Sequence, residues 1–137
     1  MRGEAIPSPY VGRDRVGGRR MKHPKLEDDL VLAAKAALAK KAADVVALDL
    51  RPAASFTDSF LLLSGHNQKQ LLAIADAVRD TLRAEGRRPD HVEGYPRQEW
   101  ILLDYGSFVV HIFTPRTRNF YDLERLWGGA TRVELAG

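Results

Sequence analysis

The sequence predicts an α/β domain of the mixed α+β kind, built on a single mixed β-sheet of about five strands with helices packed on it. Three observations carry that prediction. Apolar residues recur every three to four positions over 26–43 and 68–85, the signature of helices with one buried face. Short runs rich in Val, Ile, Leu and Phe, bounded by turn residues, mark strands at 44–50, 59–64, 90–93, 99–105 and 108–114. The resulting order, α-β-β-α-β-β-β-α, combines hairpins with crossovers, so the strands are neither all parallel nor all antiparallel.

In the first helix Leu26, Leu30, Ala33, Ala34, Ala37 and Leu38 share a side. Glu27, Asp28 and Asp29 sit at its start and Lys40 and Lys41 in its last turn, an arrangement that complements the helix dipole. The strand DVVALDL (44–50) leads through a turn-rich connector, RPAASFTD (51–58), into SFLLLS (59–64), which closes at Gly65. The second helix carries a Leu71, Ala75, Val78, Leu82 stripe, with Asp76/Arg79 and Asp80/Arg83 paired at i,i+3 on the wet face and Gly86 as its stop. After a turn at Gly94–Pro96, EWILLDY (99–105) and FVVHIFT (108–114) form a hairpin around Gly106 and Ser107. Both are apolar on both faces, which places them in the covered centre of the sheet. Pro115 ends the strand, and RNFYDLERLW (118–127) is a last helix with Phe120, Leu123 and Trp127 on one side.

The formal charge of the 137-residue chain is +3, and it is unevenly spread. Residues 1–25 hold 7 Lys/Arg against Glu4 and Asp14, so residues 26–137 hold 14 against 16 acidic residues, a net of −2. The folded body therefore lacks the basic balance that phosphate-backbone binding requires. Residues 1–24 show neither period and are expected to be a disordered basic tail, with Met21 a candidate true start; residues 25–137 form the single domain. With no cysteine, disulfide frameworks, cysteine-type zinc sites, iron–sulfur clusters and thiol nucleophiles are excluded. No apolar run reaches the roughly 18–20 residues of a membrane span, and the N-terminus lacks an apolar signal core, so the expected setting is the cytoplasm.

Catalytic chemistry finds little purchase. His23, His66, His91 and His111 are scattered, with no metal-ligand spacing, and His111 in its apolar strand reads as a hydrogen-bonded core residue. Asp49 and Asp104 near strand ends, with Ser64-Gly65 before a helix, are the ingredients of a nucleotidyltransferase site. The pair of carboxylates two residues apart that would chelate magnesium is missing: Val78 follows Asp76 at that spacing, Ala47 and Arg51 flank Asp49, and Leu102 and Gly106 flank Asp104. In Ser55-Phe56-Thr57-Asp58 the last two residues are good turn formers. There is no nucleophile elbow, phosphate-binding loop or dinucleotide fingerprint. No catalytic residue, metal or cofactor is expected.

What remains is a surface. Glu93, Tyr95, Glu99, Trp100, Asp104 and Tyr105 crowd into thirteen residues, the composition of a patch for a basic partner. A hairpin whose aromatics belong to the core is the competing reading. Alternation puts Trp100, Leu102 and Asp104 on one face and Glu99, Ile101, Leu103 and Tyr105 on the other, so only the turn brings Tyr105 beside Asp104.

The blocks DVVALDL (44–50), SFTDSFLLLSG (55–65), QKQLLAIADAV (68–78), EG (93–94), EWILLDYGSFVVHIFTP (99–115) and RNFYDLERLW (118–127) resemble the ribosomal silencing factors, also called Iojap-related proteins. Ser59 stands where that family often has an aromatic, Lys69 where it often has Arg, and residues 1–20 have no counterpart in the typical pattern. The resemblance implies a fold similar to nucleotidyltransferases without their catalytic carboxylates. It implies a non-enzymatic repressor of translation in nutrient limitation or stationary phase. Such a factor binds large-subunit ribosomal protein fourteen and sterically blocks joining of the two subunits. It is a homodimer when free, with no membrane and no specific nucleic acid as partner. The family's partner-binding segment falls on Trp100, Leu102, Asp104 and Tyr105, with Glu93 and Glu99 added by the acidic-patch argument. On this reading Trp100→Ala with Asp104→Lys leaves the fold intact and abolishes large-subunit binding. Two other classes stay open at this point: a degenerate nucleotidyltransferase-like nucleotide binder, and an RNA-binding module using the basic tail.

Overall fold

The computed structural model describes residues 26–51, 57–122 and 131–133. Its elements run α1 (Leu26–Ala39), β1 (Ala43–Asp49), β2 (Ser59–Ser64), α2 (Gln68–Ala84), β3 (His91–Glu93), β4 (Trp100–Asp104), β5 (Phe108–Phe113), α3 (Pro115–Tyr121) and β6 (Thr131–Val133). The strands form one mixed sheet in the order β3-β4-β5-β2-β1-β6. β2 and β5 are parallel, Leu62 opposite His111, and every other pairing is antiparallel. All five expected strands are present. The sixth, β6, pairs Thr131–Val133 with Ala47–Asp49 at the sheet edge. A three-residue edge strand carries too little pattern to be read from sequence. No helix among the described residues is long and apolar enough to cross a membrane.

Helix ends depart from the sequence reading at two places. α1 stops at Ala39 rather than 43, because Lys41 adopts a left-handed conformation (φ 66°). There Ala42 N–H donates to the Ala37 carbonyl (3.1 Å) and Lys41 N–H to that of Leu38 (2.9 Å), the bond pair of a Schellman stop. Lys40 and Lys41 thus lie beyond the last turn, not within it. α2 ends in the same bond pair with Gly86 (φ 81°), as its sequence announces. α3 begins at Pro115, three residues earlier than expected: Thr114 caps it, and the proline that ends β5 also occupies the first helical turn. α3 runs only to Tyr121. Leu123 and Trp127 lie outside the described residues, as do the tail 1–24 and Ser55-Phe56.

Each sheet face buries its own core. On the first, Ala47, Leu61, Leu63, Ile101, Leu103, Val110 and Ile112 pack with Leu30, Ala33, Ala34 and Ala37 of α1 and Leu71, Ile74, Ala75, Val78 and Leu82 of α2. On the second, Leu48, Leu50, Phe60, Leu62, Leu102, Val109 and Phe113 form a separate cluster. Burial on both sides explains why β2 and β5, buried along their whole length, show no polar alternation. Asp29, 3% exposed, forms an ion pair with Arg87 and ties α1 to the turn after α2. Asp80 and Arg83 pair at 2.7 Å as expected. Asp76 and Arg79 both engage Tyr95, whose hydroxyl donates to Asp76 Oδ1 (3.0 Å) while the Arg79 guanidinium stands 5.4 Å from its ring centroid. That contact docks the β3–β4 turn on α2.

A candidate partner-binding site around Trp100

Strand register decides which of the six candidate residues can meet. Glu93 lies opposite Leu102, Trp100 opposite Phe113, Leu102 opposite His111 and Asp104 opposite Val109. Directly opposed residues share a face, so Glu93, Trp100, Leu102 and Asp104 belong to the second face. Tyr105 joins Ile101 and Leu103 in the first-face core, and Glu99 lines a crevice with His66 and Gln68 at the start of α2. The expected alternation holds, but it divides the six residues. They are also spread lengthwise: four steps of ~3.3 Å put Trp100 and Asp104 roughly 13 Å apart along β4.

Trp100 is partly exposed and firmly held. Its indole Nε1 donates to Nδ1 of His111 at 3.0 Å, and its ring stacks on Phe113 with centroids 5.2 Å apart. His111 is fully buried, edge-on to Phe60 at 4.4 Å, and burial lowers its pKa to about 3. It is therefore neutral near pH 7. Because an indole only donates, Nδ1 is the acceptor and the ring proton sits on Nε2. His111 is thus the hydrogen-bonded core residue that the sequence suggested. Among the described residues, no cluster of three His, Cys, Asp or Glu could hold a metal.

Leu102 and Asp104 are each 1% exposed and cannot present themselves to a partner in this fold. Asp104 Oδ1 instead accepts from the Gly106 N–H (2.8 Å), closing the β4–β5 turn. From the other side Thr57 Oγ1 donates to the Gly106 carbonyl (2.8 Å) and Asp58 N–H to that of Ser107 (3.0 Å), so Thr57 and Asp58 clamp the turn. Asp104→Lys would bury an ammonium and orphan the Gly106 N–H, which corrects the expectation that this substitution spares the fold.

Tyr105 is 6% exposed, stacked on Phe108 with centroids 5.0 Å apart, and does not leave the sheet beside Asp104. Among the described residues its hydroxyl finds no hydrogen-bond partner, and burial pushes the phenol up to about 12. An unpaired buried hydroxyl contributes nothing to set against its desolvation. Tyr105→Phe is accordingly expected to leave stability unchanged or raise it by up to about 1 kcal/mol in urea denaturation. A loss above about 1 kcal/mol would show that the hydroxyl has a partner after all.

The surface that remains is Trp100 with the exposed carboxylates Glu93 and Glu99. Two residues that shape it were not among the site residues expected from the sequence. Gly94 has φ 94°, and a Cβ there would stand 1.9 Å from the Trp100 carbonyl oxygen. Gln98, also left-handed (φ 58°), donates its N–H to the Gly94 carbonyl (2.8 Å) and turns the chain into Glu99-Trp100. The Glu-Gly dipeptide before a turn was the available signal for the first; nothing announced the second. The Ser64-Gly65 turn is spoken for internally: Arg118 donates to Ser64 Oγ (2.9 Å) and to the Asp44 carbonyl (2.6 Å), and Gly65 N–H bonds the Phe113 carbonyl (2.8 Å).

Residues 23–137 match the family model described as ribosomal silencing factor during starvation. The chain belongs to this family. It is 41% identical over 108 residues to a ribosomal silencing factor of Halalkalibacterium halodurans, covering 79% of this chain and 92% of that protein. It is 31% identical over 91 residues to the mouse protein named mitochondrial assembly of ribosomal large subunit protein 1, covering 64% of this chain and 40% of the mouse protein. A crystal structure of a Chromobacterium violaceum protein superposes with a TM-score of 0.73 at 31% identity, covering 85% of this chain and 95% of that one. The mixed sheet with its packed helices is thus the fold of the family.

Proposed function

We propose that this chain represses translation by binding the large ribosomal subunit through its protein fourteen, on the face where the small subunit docks. Steric exclusion then blocks subunit joining in the cytoplasm during nutrient limitation. The mechanism asks for affinity and bulk, and no catalytic step enters it. One observation carries the residue assignment: Trp100 is an aromatic side chain held rigid by His111 and Phe113 yet partly open to solvent, near exposed Glu93 and Glu99. Rigid aromatic anchors lose little entropy on binding and are the residue type whose truncation costs most at interfaces, ≥ ~2 kcal/mol. The carboxylates would meet basic groups of the partner and speed association in a salt-dependent way. The family membership and the ribosomal names of the relatives support the choice of partner, and the free chain is proposed to be a homodimer.

The test is co-sedimentation with isolated large subunits, followed by scoring of joining after small subunits are added. Trp100→Ala removes the stack on Phe113 together with the hydrogen bond to His111, so the informative variants keep a ring there or leave β4 untouched. Glu93→Arg with Glu99→Arg is expected to weaken binding at least about tenfold at low salt. Trp100→Phe retains the stack on Phe113 and is expected to weaken it further. Wild-type protein that neither sediments with large subunits nor blocks joining would overturn the function. Unchanged binding by the folded variants would overturn the site alone.

A further inference from the structure

The strongest unassigned feature is a crevice of about 900 Å³ at the other side of Glu99, lined by His66, Gln68, Glu99, Arg116, Thr117 and Asn119 among others. Topology puts it there. β2 and β5 are adjacent and parallel, and the helices that follow them diverge: α2 covers the first face, while α3 turns to the second, where its Arg118 reaches Ser64. In open sheets the gap beyond the carboxyl ends of two such strands is where small ligands settle, because no connection crosses it. The polar groups around it divide cleanly. Thr114 and Thr117 hydroxyls bond each other (2.9 Å) and Ser64 is held by Arg118, whereas Glu99, Arg116 and Asn119 are exposed and, among the described residues, unpaired.

We propose that this crevice binds a mononucleotide. Its size lies at the upper end of small-molecule sites, beyond what an inorganic anion or a single amino acid fills. Its lining groups match the three parts of a nucleotide. The Arg116 guanidinium suits a phosphate; the Glu99 carboxylate accepts from sugar hydroxyls; and the Asn119 carboxamide can meet a base edge, as can the carboxamide oxygen of Gln68, whose Nε2 already donates to the Arg97 carbonyl (3.4 Å). The Ser64-Gly65 turn has no part in it, since its donors and acceptors are already used within the fold. The proposal does not depend on the ribosomal reading, and Glu99 is the one residue that borders both surfaces.

The experiment is a titration of the isolated full-length chain, followed by backbone amide NMR, with ATP, adenosine and inorganic triphosphate as separate probes at constant ionic strength. ATP is expected to bind with a Kd below about 1 mM and to shift the amides of His66, Gln68, Thr117 and Asn119. Arg116→Ala, an exposed change, is expected to weaken ATP about tenfold and leave adenosine unaffected, while Glu99→Gln weakens both. Absence of these shifts at about 10 mM ATP would overturn the proposal. So would triphosphate binding as tightly as ATP, which marks a simple anion patch, or an Arg116→Ala protein that binds ATP as before. None of these readouts involves ribosomes, so the subunit-joining assay stands or falls separately.

Discussion

Gly94→Ala is expected to destabilise the protein by on the order of 4 kcal/mol, a large part of the roughly 5–15 kcal/mol available to a domain. Two independent costs meet at this position. With φ at 94°, any side chain is strained. The added Cβ would also stand 1.9 Å from the Trp100 carbonyl oxygen, a backbone atom that cannot move without breaking the β3–β4 pairing. Gly65 supplies the contrast. There the nearest atom to a new Cβ is Leu71 Cδ1 at 2.8 Å, the end of a side chain that can rotate, and no positive φ is involved. Gly65→Ala should cost about 1–3 kcal/mol, in the ordinary overpacking range. Urea denaturation followed by tryptophan fluorescence checks both. A loss at Gly94 below about 1 kcal/mol would show that the strand pair can slide, and that Glu93 and Trp100 are not held in fixed relation.

The contrast between the two glycines shows what sequence could and could not convey. Periodicity located both long helices and five strands because each buries a continuous apolar stripe or run, and burial is what residue type reports. It failed at Lys41, where a lysine takes the left-handed position that composition assigns to glycine, and at Pro115, whose role as a strand stop hid its second role as a helix start. For the site, alternation correctly divided Trp100, Leu102 and Asp104 from Tyr105. Alternation names a face without saying whether that face is open. Since both faces of this sheet are covered, Leu102, Asp104 and Tyr105 turned out to be core, and only Trp100 with Glu93 and Glu99 reaches solvent. A carboxylate that caps a hairpin turn and one that greets a partner look alike in sequence; the Asp104 to Gly106 bond distinguishes them.

His111 makes stability fall as pH drops below about 6.5, well before most carboxylates titrate. In the folded chain burial holds its pKa at about 3, while the unfolded chain takes up the proton near the ordinary histidine value of about 6.5. Between those values the unfolded state binds one more proton, so unfolding becomes easier by about 1.4 kcal/mol per pH unit on the way down. The stability present above pH ~6.5 is reduced by about 2 kcal/mol at pH 5, and by on the order of 4 to 5 kcal/mol as pH reaches the folded value. Urea midpoints measured from pH 7.5 to 5 check this, with His111→Phe as the control, because it keeps a ring in the aromatic cluster and removes the titration. Wild type should lose stability over that range and the variant stay nearly flat; equal slopes would mean that His111 is not the group responsible. The same proton bears on function. Protonation converts Nδ1 from acceptor to donor, so it faces the Trp100 N–H instead of receiving it, and the hydrogen bond that holds the indole is lost. In the native protein that exchange waits until pH nears 3, so between pH 7.5 and 5 Trp100 stays held, and binding by the folded chain should stay constant while the urea midpoint falls.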